Sequence, residues 1–347
     1  MTARTAKSPA AASIFSALIS PAAGIAVCVA LILCCAKTPA AALRSLFADS
    51  FTSAYYFGTM LNTAAFFMLA GCGSALAITG GVMNLGGEGQ VYAGGFVGCI
   101  VLNALRLPAP LAFCLALLAS AAAGALLALI SALLRELRGA RVLLTTFLVS
   151  SAVIPLIDGL ITASKNSAQT NMLALPYIAE AYRLPHILPP SPLSWSFAVA
   201  LVVCVIAWAV VFRTRAGRTL RLWGTAPVFA TYCGYSTRRN TYLTLAVSGA
   251  FHALTGFFAV CGTYYTCHKG FYANMGWNAL NVALTARANP LAVVPMSLLL
   301  SWIFTSASRV SLTQGFDFDI AGIVQSVILF SIAIPVVITA KRTEARR

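Results

Sequence analysis

The chain has 347 residues, of which 60% are hydrophobic and 9% charged, and its formal net charge is +15. An average soluble domain is about half apolar and about a quarter charged, so this composition excludes an ordinary soluble enzyme or binding module. The basic residues fall in short clusters between apolar stretches, which argues against nucleic acid as a partner and fits the Lys and Arg excess of cytoplasmic membrane-protein loops.

Apolar stretches long enough to cross roughly 30 Å of hydrocarbon predict an all-α polytopic protein, multi-pass in the cell inner membrane, some of its helices broken. About ten transmembrane segments are expected, at residues 12–36, 57–78, 91–105, 109–133, 142–163, 195–213, 241–263, 276–288, 290–306 and 317–340. The run Ala30-Leu31-Ile32-Leu33-Cys34 is similar to a lipoprotein cleavage site but lacks the small residue before the Cys, so the first segment reads as a retained span. The eighth is too short for a full crossing and is either tilted or half of a discontinuous helix ending at the Asn289-Pro290 turn.

With both termini inside, 16 of the 23 Lys and Arg residues fall on the cytoplasmic side, Arg135, Arg138, Arg141, Arg213, Arg238, Arg239 and Arg287 among them. Merging segments eight and nine would send Lys341 and Arg342 outside, against that bias. The organisation is therefore a cytoplasmic tail (1–11), one membrane domain (12–340) and a basic cytoplasmic tail (341–347). Two polar stretches interrupt the domain: 164–194, with five prolines and facing outward, and 214–240, basic and facing inward, where contact with anionic membrane lipid is one expectation.

Three segments can carry function. In Gly80–Gln90 five glycines surround Asn84, Glu88 and Gln90; either this is a cytoplasmic turn with a solvated Glu88, or a helix break at a gate or at the packing core of the pathway. In Gly217–Arg239 a short helix is expected to start near Pro227 and stop at Gly234, suited either to docking a cytosolic partner or to anchoring on lipid. In Gly276–Leu291, Asn278 and Asn281 share a helical face, where amides cross-link helices or meet a solute, and Arg287 snorkels to the interface.

No G-x-x-x-x-G-K-[ST] loop is present, so nucleotide hydrolysis is not expected of this chain, and the scattered His186, His252 and His268 form no hydrolase constellation. The ten cysteines contain no C-x-x-C pair and read as small buried apolar residues, with no metal site or cofactor expected. Asp158 and Glu88 are the main carboxylates within the spans, sparse provision for a proton relay.

The three segments resemble, over residues 57–340, the permease subunits of ATP-binding-cassette importers of the branched-chain amino acid, ribose and nucleoside group. Gly81–Gln90 is similar to G-L-F-N-I-G-x-E-G-Q of the nucleoside and simple-sugar subgroup, matching at Asn84, Gly86, Glu88, Gly89 and Gln90. Arg221–Gly256 resembles R-A-V-G-x-N-P-x-A-A-x-Y-x-G-I and the S-G-A that follows, at Gly224, Pro227, Ala230, Tyr232, Gly234 and Ser248-Gly249-Ala250. Gly276–Leu291 matches G-x-x-A-I-A-V-A-L-L-G-x-x-N-P-L at Gly276, Ala279, Val282, Ala283, Leu284, Asn289, Pro290 and Leu291. Departures stand at Thr225-Ala226-Pro227, Arg141 and Thr285-Ala286.

The resemblance implies a translocation subunit, not an enzyme. A cytosolic ATPase would use the ATP and engage residues 222–239, with Gly224, Pro227, Ala230, Tyr232, Gly234, Arg238 and Arg239 as the coupling set. A second, non-identical permease subunit and an extracytoplasmic binding protein would complete the importer. The implied solute is a nucleoside or related riboside such as riboflavin, or a simple sugar. Phe66, Phe67, Trp277, Asn278 and Asn281 are the candidates for stacking and amide contacts along the pathway, beside Asn84, Glu88 and Gln90. The rival readings are an ion-coupled secondary carrier using Glu88 and Asp158, and a membrane protein without transport.

Overall fold

The computed structural model describes residues 9–164 and 172–344. The helices are α1 (Pro9–Cys35), α2 (Pro39–Phe47), α3 (Asp49–Thr52), α4 (Ala54–Thr79), α5 (Gly87–Ala104), α6 (Ala109–Arg138), α7 (Val142–Thr162), α8 (Ser196–Arg213), α9 (Arg215–Thr225), α10 (Pro227–Tyr232), α11 (Thr237–Ala259), α12 (Met275–Thr285), α13 (Pro290–Gln314) and α14 (Ile320–Glu344). Among the described residues there are isolated bridges but no strand. Each of the ten apolar stretches falls on one of these helices, and among the described residues seven helices are long and apolar enough to cross a membrane. The other three are α5, the 11-residue α12 and the apolar part of α14 at Ile320–Ile332. Of the expected tails, residues 1–8 and 345–347 lie outside the described residues, and α1 and α14 take in the rest.

The helix ends follow from local chemistry. Pro39, Pro227 and Pro290 open helices where a missing N–H costs nothing, and Gly139 and Gly315 close α6 and α13 in the left-handed region at φ 65°. Side-chain caps hold the starts of α9, α11 and α13: Gly217, Arg239 and Leu291 N–H groups donate to Thr214 Oγ1, Ser236 Oγ and Asn289 Oδ1 at 3.1, 3.2 and 3.1 Å.

α4 is the central element and packs against α8, α11, α12 and α13, while α11 packs against α5 and α6. These contacts rest on small residues, as lipid-embedded helices require for close approach. A Cβ at Gly124 would run into the Gly249 backbone, and one at Gly94 into the Ala253 carbonyl. Six cysteines, among them Cys72 and Cys204, are buried as expected; Cys34, Cys35, Cys114 and Cys233 are exposed, because their positions face outward from the bundle.

Candidate functional site

The glycine-rich interruption is a true break between α4 and α5. α4 stops at Thr79, Gly81 turns the chain at φ 71°, and α5 starts at Gly87. Asn84 Nδ2 donates to Gln90 Oε1 at 2.9 Å and to Ser248 Oγ of α11 at 3.0 Å; Gln90 Nε2 returns a bond to Asn84 Oδ1 at 3.2 Å. Gly86 N–H also donates to Asn84 Oδ1, at 2.9 Å. Asn84 and Gln90 are thus enclosed and fasten the break to α11, and neither lines the two cavities described below.

Glu88 lies one turn on and is 9% exposed, which overturns the solvated-turn reading. The physical reason is α12. Its first-turn N–H groups have no partner within the helix, and Glu88 Oε1 accepts one of them, from Trp277, at 3.1 Å. Gly276 packs its backbone directly on Gly87 and Glu88, an approach that any side chain would block. The other intramembrane acid is also partnered: Tyr92 OH donates to Asp158 Oδ1 at 2.6 Å, and Lys269 Nζ lies 3.9 Å from Oδ2.

α12 is about 16 Å long, half of a crossing. It ends in a turn with positive φ at Arg287 and Ala288 before Asn289 caps α13. Arg287 is exposed there. Two cavities flank α12. One of about 650 Å³ is lined by Phe66 and Phe67 of α4 and Asn278 of α12, together with Tyr56, Asn62, Phe271, Phe304 and Arg309. The other, about 300 Å³, is lined by Glu88 and Trp277 with Phe147, Ser150 and Tyr272. Asn274, the residue before α12, lines both.

The pathway residues expected from sequence are therefore split between two chambers. Asn281 lines neither: it is fully buried, and its Oδ1 and Nδ2 have no partner. Asn278 Oδ1 and Asn62 Oδ1 are likewise buried without a partner, although Asn62 Nδ2 donates to Thr263 Oγ1 at 2.9 Å. Each such atom costs about 1–3 kcal/mol. Burial, then the Asp158 and Glu88 carboxylates, raise the pKa of the Tyr272 phenol, so it stands in the smaller chamber as a neutral hydrogen-bonding group. Asn62, Arg309, Phe147, Asn274 and Tyr272 were not singled out from sequence. Arg309 carried a signal, as the lone charge in the 25-residue α13; the aromatic residues carried none.

Away from the 650 Å³ cavity α9 and α10 form a projecting corner. α10 runs Pro227–Tyr232, the chain turns at Gly234 with φ 81°, and Ala230 is buried beneath. Val228, Phe229 and Tyr232 point away, at 67%, 58% and 86% exposure. Gly224 packs its backbone on Thr79 and Gly81, and Asn240 Nδ2 donates to Gly80 O at 3.1 Å. The corner therefore rests directly on the α4–α5 break. Arg238 pairs with Glu136 at 3.0 Å and stacks on Tyr242, and Arg239 lines an apolar groove with Leu220 and Trp223.

Residues 56–333 match the family described as branched-chain amino acid transport system / permease component. The chain is 31% identical, over 89% of its length and 82% of the relative's, to the probable riboflavin import permease protein RfuC of Treponema pallidum (strain Nichols). It is 26% identical to the guanosine ABC transporter permease protein NupP of Bacillus subtilis (strain 168), over 89% of this chain and 90% of that one. The glucose ABC transporter permease protein TsgB13 of Haloferax volcanii is 28% identical, over 85% and 80%.

Proposed function

This chain belongs to the family of permease components of branched-chain amino acid transport systems, and we propose from that premise that its solute is a riboside. It is a membrane-embedded permease subunit of an ATP-binding-cassette importer, a translocation subunit of the kind that works with an ATPase and a solute-binding protein. The solute class proposed is a nucleoside or a related ring-bearing riboside such as riboflavin, with a simple sugar next. The observation that carries this class is the 650 Å³ cavity, where Phe66, Phe67 and Phe271 offer stacking surfaces beside the amides of Asn62 and Asn278. Its volume lies within the roughly 300–1,000 Å³ of small-molecule sites. Relatives whose names give riboflavin and guanosine support the same class.

In the proposed arrangement the chain crosses the membrane ten times with both termini inside. The 650 Å³ cavity, lined by Tyr55 and Tyr56 at the start of α4 and by Arg309 and Thr313 near the end of α13, then opens outward to receive solute from a binding protein. The α9–α10 corner faces the cytosol, where Val228, Phe229 and Tyr232 dock a separate ATPase that consumes the ATP. A non-identical second permease subunit completes the pathway against the face that carries Phe147, Trp277 and the smaller cavity. Alternation between the two cavities around α12 is the proposed transport cycle.

Reconstituted uptake tests this reading. Entry of labelled riboflavin or guanosine into proteoliposomes should require the added ATPase and ATP. Uptake by this chain alone under an ion gradient would instead establish the secondary carrier.

A further inference from the structure

Arg309 has a chemistry that membrane insertion alone does not explain. It is the one charged residue of the 25-residue α13, and no carboxylate lies within ion-pair distance of it among the described residues. Its Nη2 donates to Ser50 Oγ at 2.6 Å and to Ser306 Oγ at 3.2 Å, and the Tyr56 ring covers the guanidinium with its centroid 4.3 Å from Cζ. Nε and Nη1 are buried without an acceptor. Two serines and a ring thus fix the plane of the guanidinium while leaving donors unmatched, and Arg309 belongs to the wall of the 650 Å³ cavity.

We propose that Arg309 is the specificity residue of this cavity, donating to a carbonyl oxygen on the ring of an uncharged solute. This deepens the riboside reading and rests on it. An anionic solute is disfavoured because the exposed Asp319 stands on the same wall. A planar ring is favoured by the aromatic lining, in which Tyr56 already stacks on the guanidinium and Phe67 and Phe304 pack edge to face at 6.0 Å. The polarity of the rest of the wall complements that assignment. Asn62 Oδ1 and Asn278 Oδ1 are unpartnered acceptors, suited to N–H or O–H groups of the same solute. Arg309 and the two amides therefore bring unmatched donors and unmatched acceptors to the cavity wall, enclosed in this conformation, and an oxo-substituted base or flavin ring with amino, imide or hydroxyl donors satisfies them as these side chains turn toward it on binding.

The test is ATP-driven uptake by the complete reconstituted importer of three probes: guanosine and riboflavin, which carry ring carbonyls, and purine riboside, which carries none. Arg309→Gln should raise KM for whichever carbonyl-bearing probe the wild type transports by at least about tenfold, as for loss of a charged hydrogen bond, with Vmax held within about twofold. KM for purine riboside should stay within about twofold, so that the wild-type preference collapses. Arg309→Lys, which keeps the charge but not the planar donors, should recover only part of that preference. An equal shift for all three probes, or a fall in Vmax with KM unchanged, overturns the proposal in favour of a packing role. If Arg309→Gln does not assemble, Ser50→Ala decides, since it frees one tether of the guanidinium: a carbonyl-selective rise in KM supports the proposal and an unselective or absent one overturns it. Uptake of none of the probes by the wild type overturns the riboside reading and the role of Arg309 together.

Discussion

Replacing Glu88 by Ala removes the acceptor of the Trp277 N–H bond, 3.1 Å long and buried between α5 and the start of α12. A hydrogen bond to a charged group contributes about 1.5–3 kcal/mol, and deleting one partner leaves the other unsatisfied. The local opening of α12 should then become easier by about 2–3 kcal/mol, which is about 30- to 140-fold faster amide exchange. Glu88→Gln keeps an oxygen acceptor and loses the charge that favours a helix N-terminus, so its effect should be about tenfold or less. Hydrogen exchange followed by mass spectrometry on a peptide covering residues 275–281, with an α13 peptide as internal reference, measures both. Equal acceleration by the two variants, or acceleration spread evenly over α4, α11 and α13, would refute the capping role and leave Glu88 as a pathway group alone.

Replacing Val228, Phe229 and Tyr232 together by Ser should change the chain's own stability by no more than about 1.5 kcal/mol, about 0.5 for each exposed position. The partner ATPase should nonetheless be lost on co-purification; retained complex would remove this corner as the docking point. Gly224→Ala drives a methyl group into the Thr79 carbonyl, at about 1–3 kcal/mol, and should leave ATP hydrolysis running while uptake falls. Asp158→Asn keeps a hydrogen-bond acceptor for Tyr92, so ATP-driven uptake should remain above about half of wild type and insensitive to a protonophore. Collapse of uptake in that variant would point back to ion coupling. Arg238→Ala breaks a pair whose Arg side chain is 71% exposed, and a thermal melt should register about 1 kcal/mol or less.

Much of the fold was readable from local chemistry. Glycines at 80 and 81 and prolines at 227 and 290 interrupt otherwise apolar runs, and the structure puts the α4–α5 break, α10 and the start of α13 there. What local reading does not resolve is which interruption touches which. Glu88 meets Trp277 across 189 positions and Arg309 meets Ser50 across 259, contacts that no periodicity encodes. The same limit explains the pathway residues. Trp277 and Asn278 are neighbours in sequence, and only the placement of α12 between α4 and α5 assigns them to different cavities. Asn84 and Gln90 carry the right residue types for a polar pathway, yet they bond to each other, and Asn84 also to Ser248. Phe147 and Tyr272 were indistinguishable in sequence from lipid-facing or packing aromatics.

The meeting of Gly224 with Thr79 and Gly81 makes the link between corner and break stiff. Contact there is backbone against backbone, so no rotamer can relax to absorb a shift of α9. A displacement of about an ångström must either be passed on to the loop before α5 or part the two surfaces, because packed contacts of this kind compress little. The connection from Arg238 to Glu136 behaves oppositely: long side chains on an exposed face can follow such a movement by changing rotamer. A push on α10 that moves α9 is therefore delivered hard to the α4–α5 hinge, as by a rigid rod, while the Arg238–Glu136 pair itself adds no stiffness.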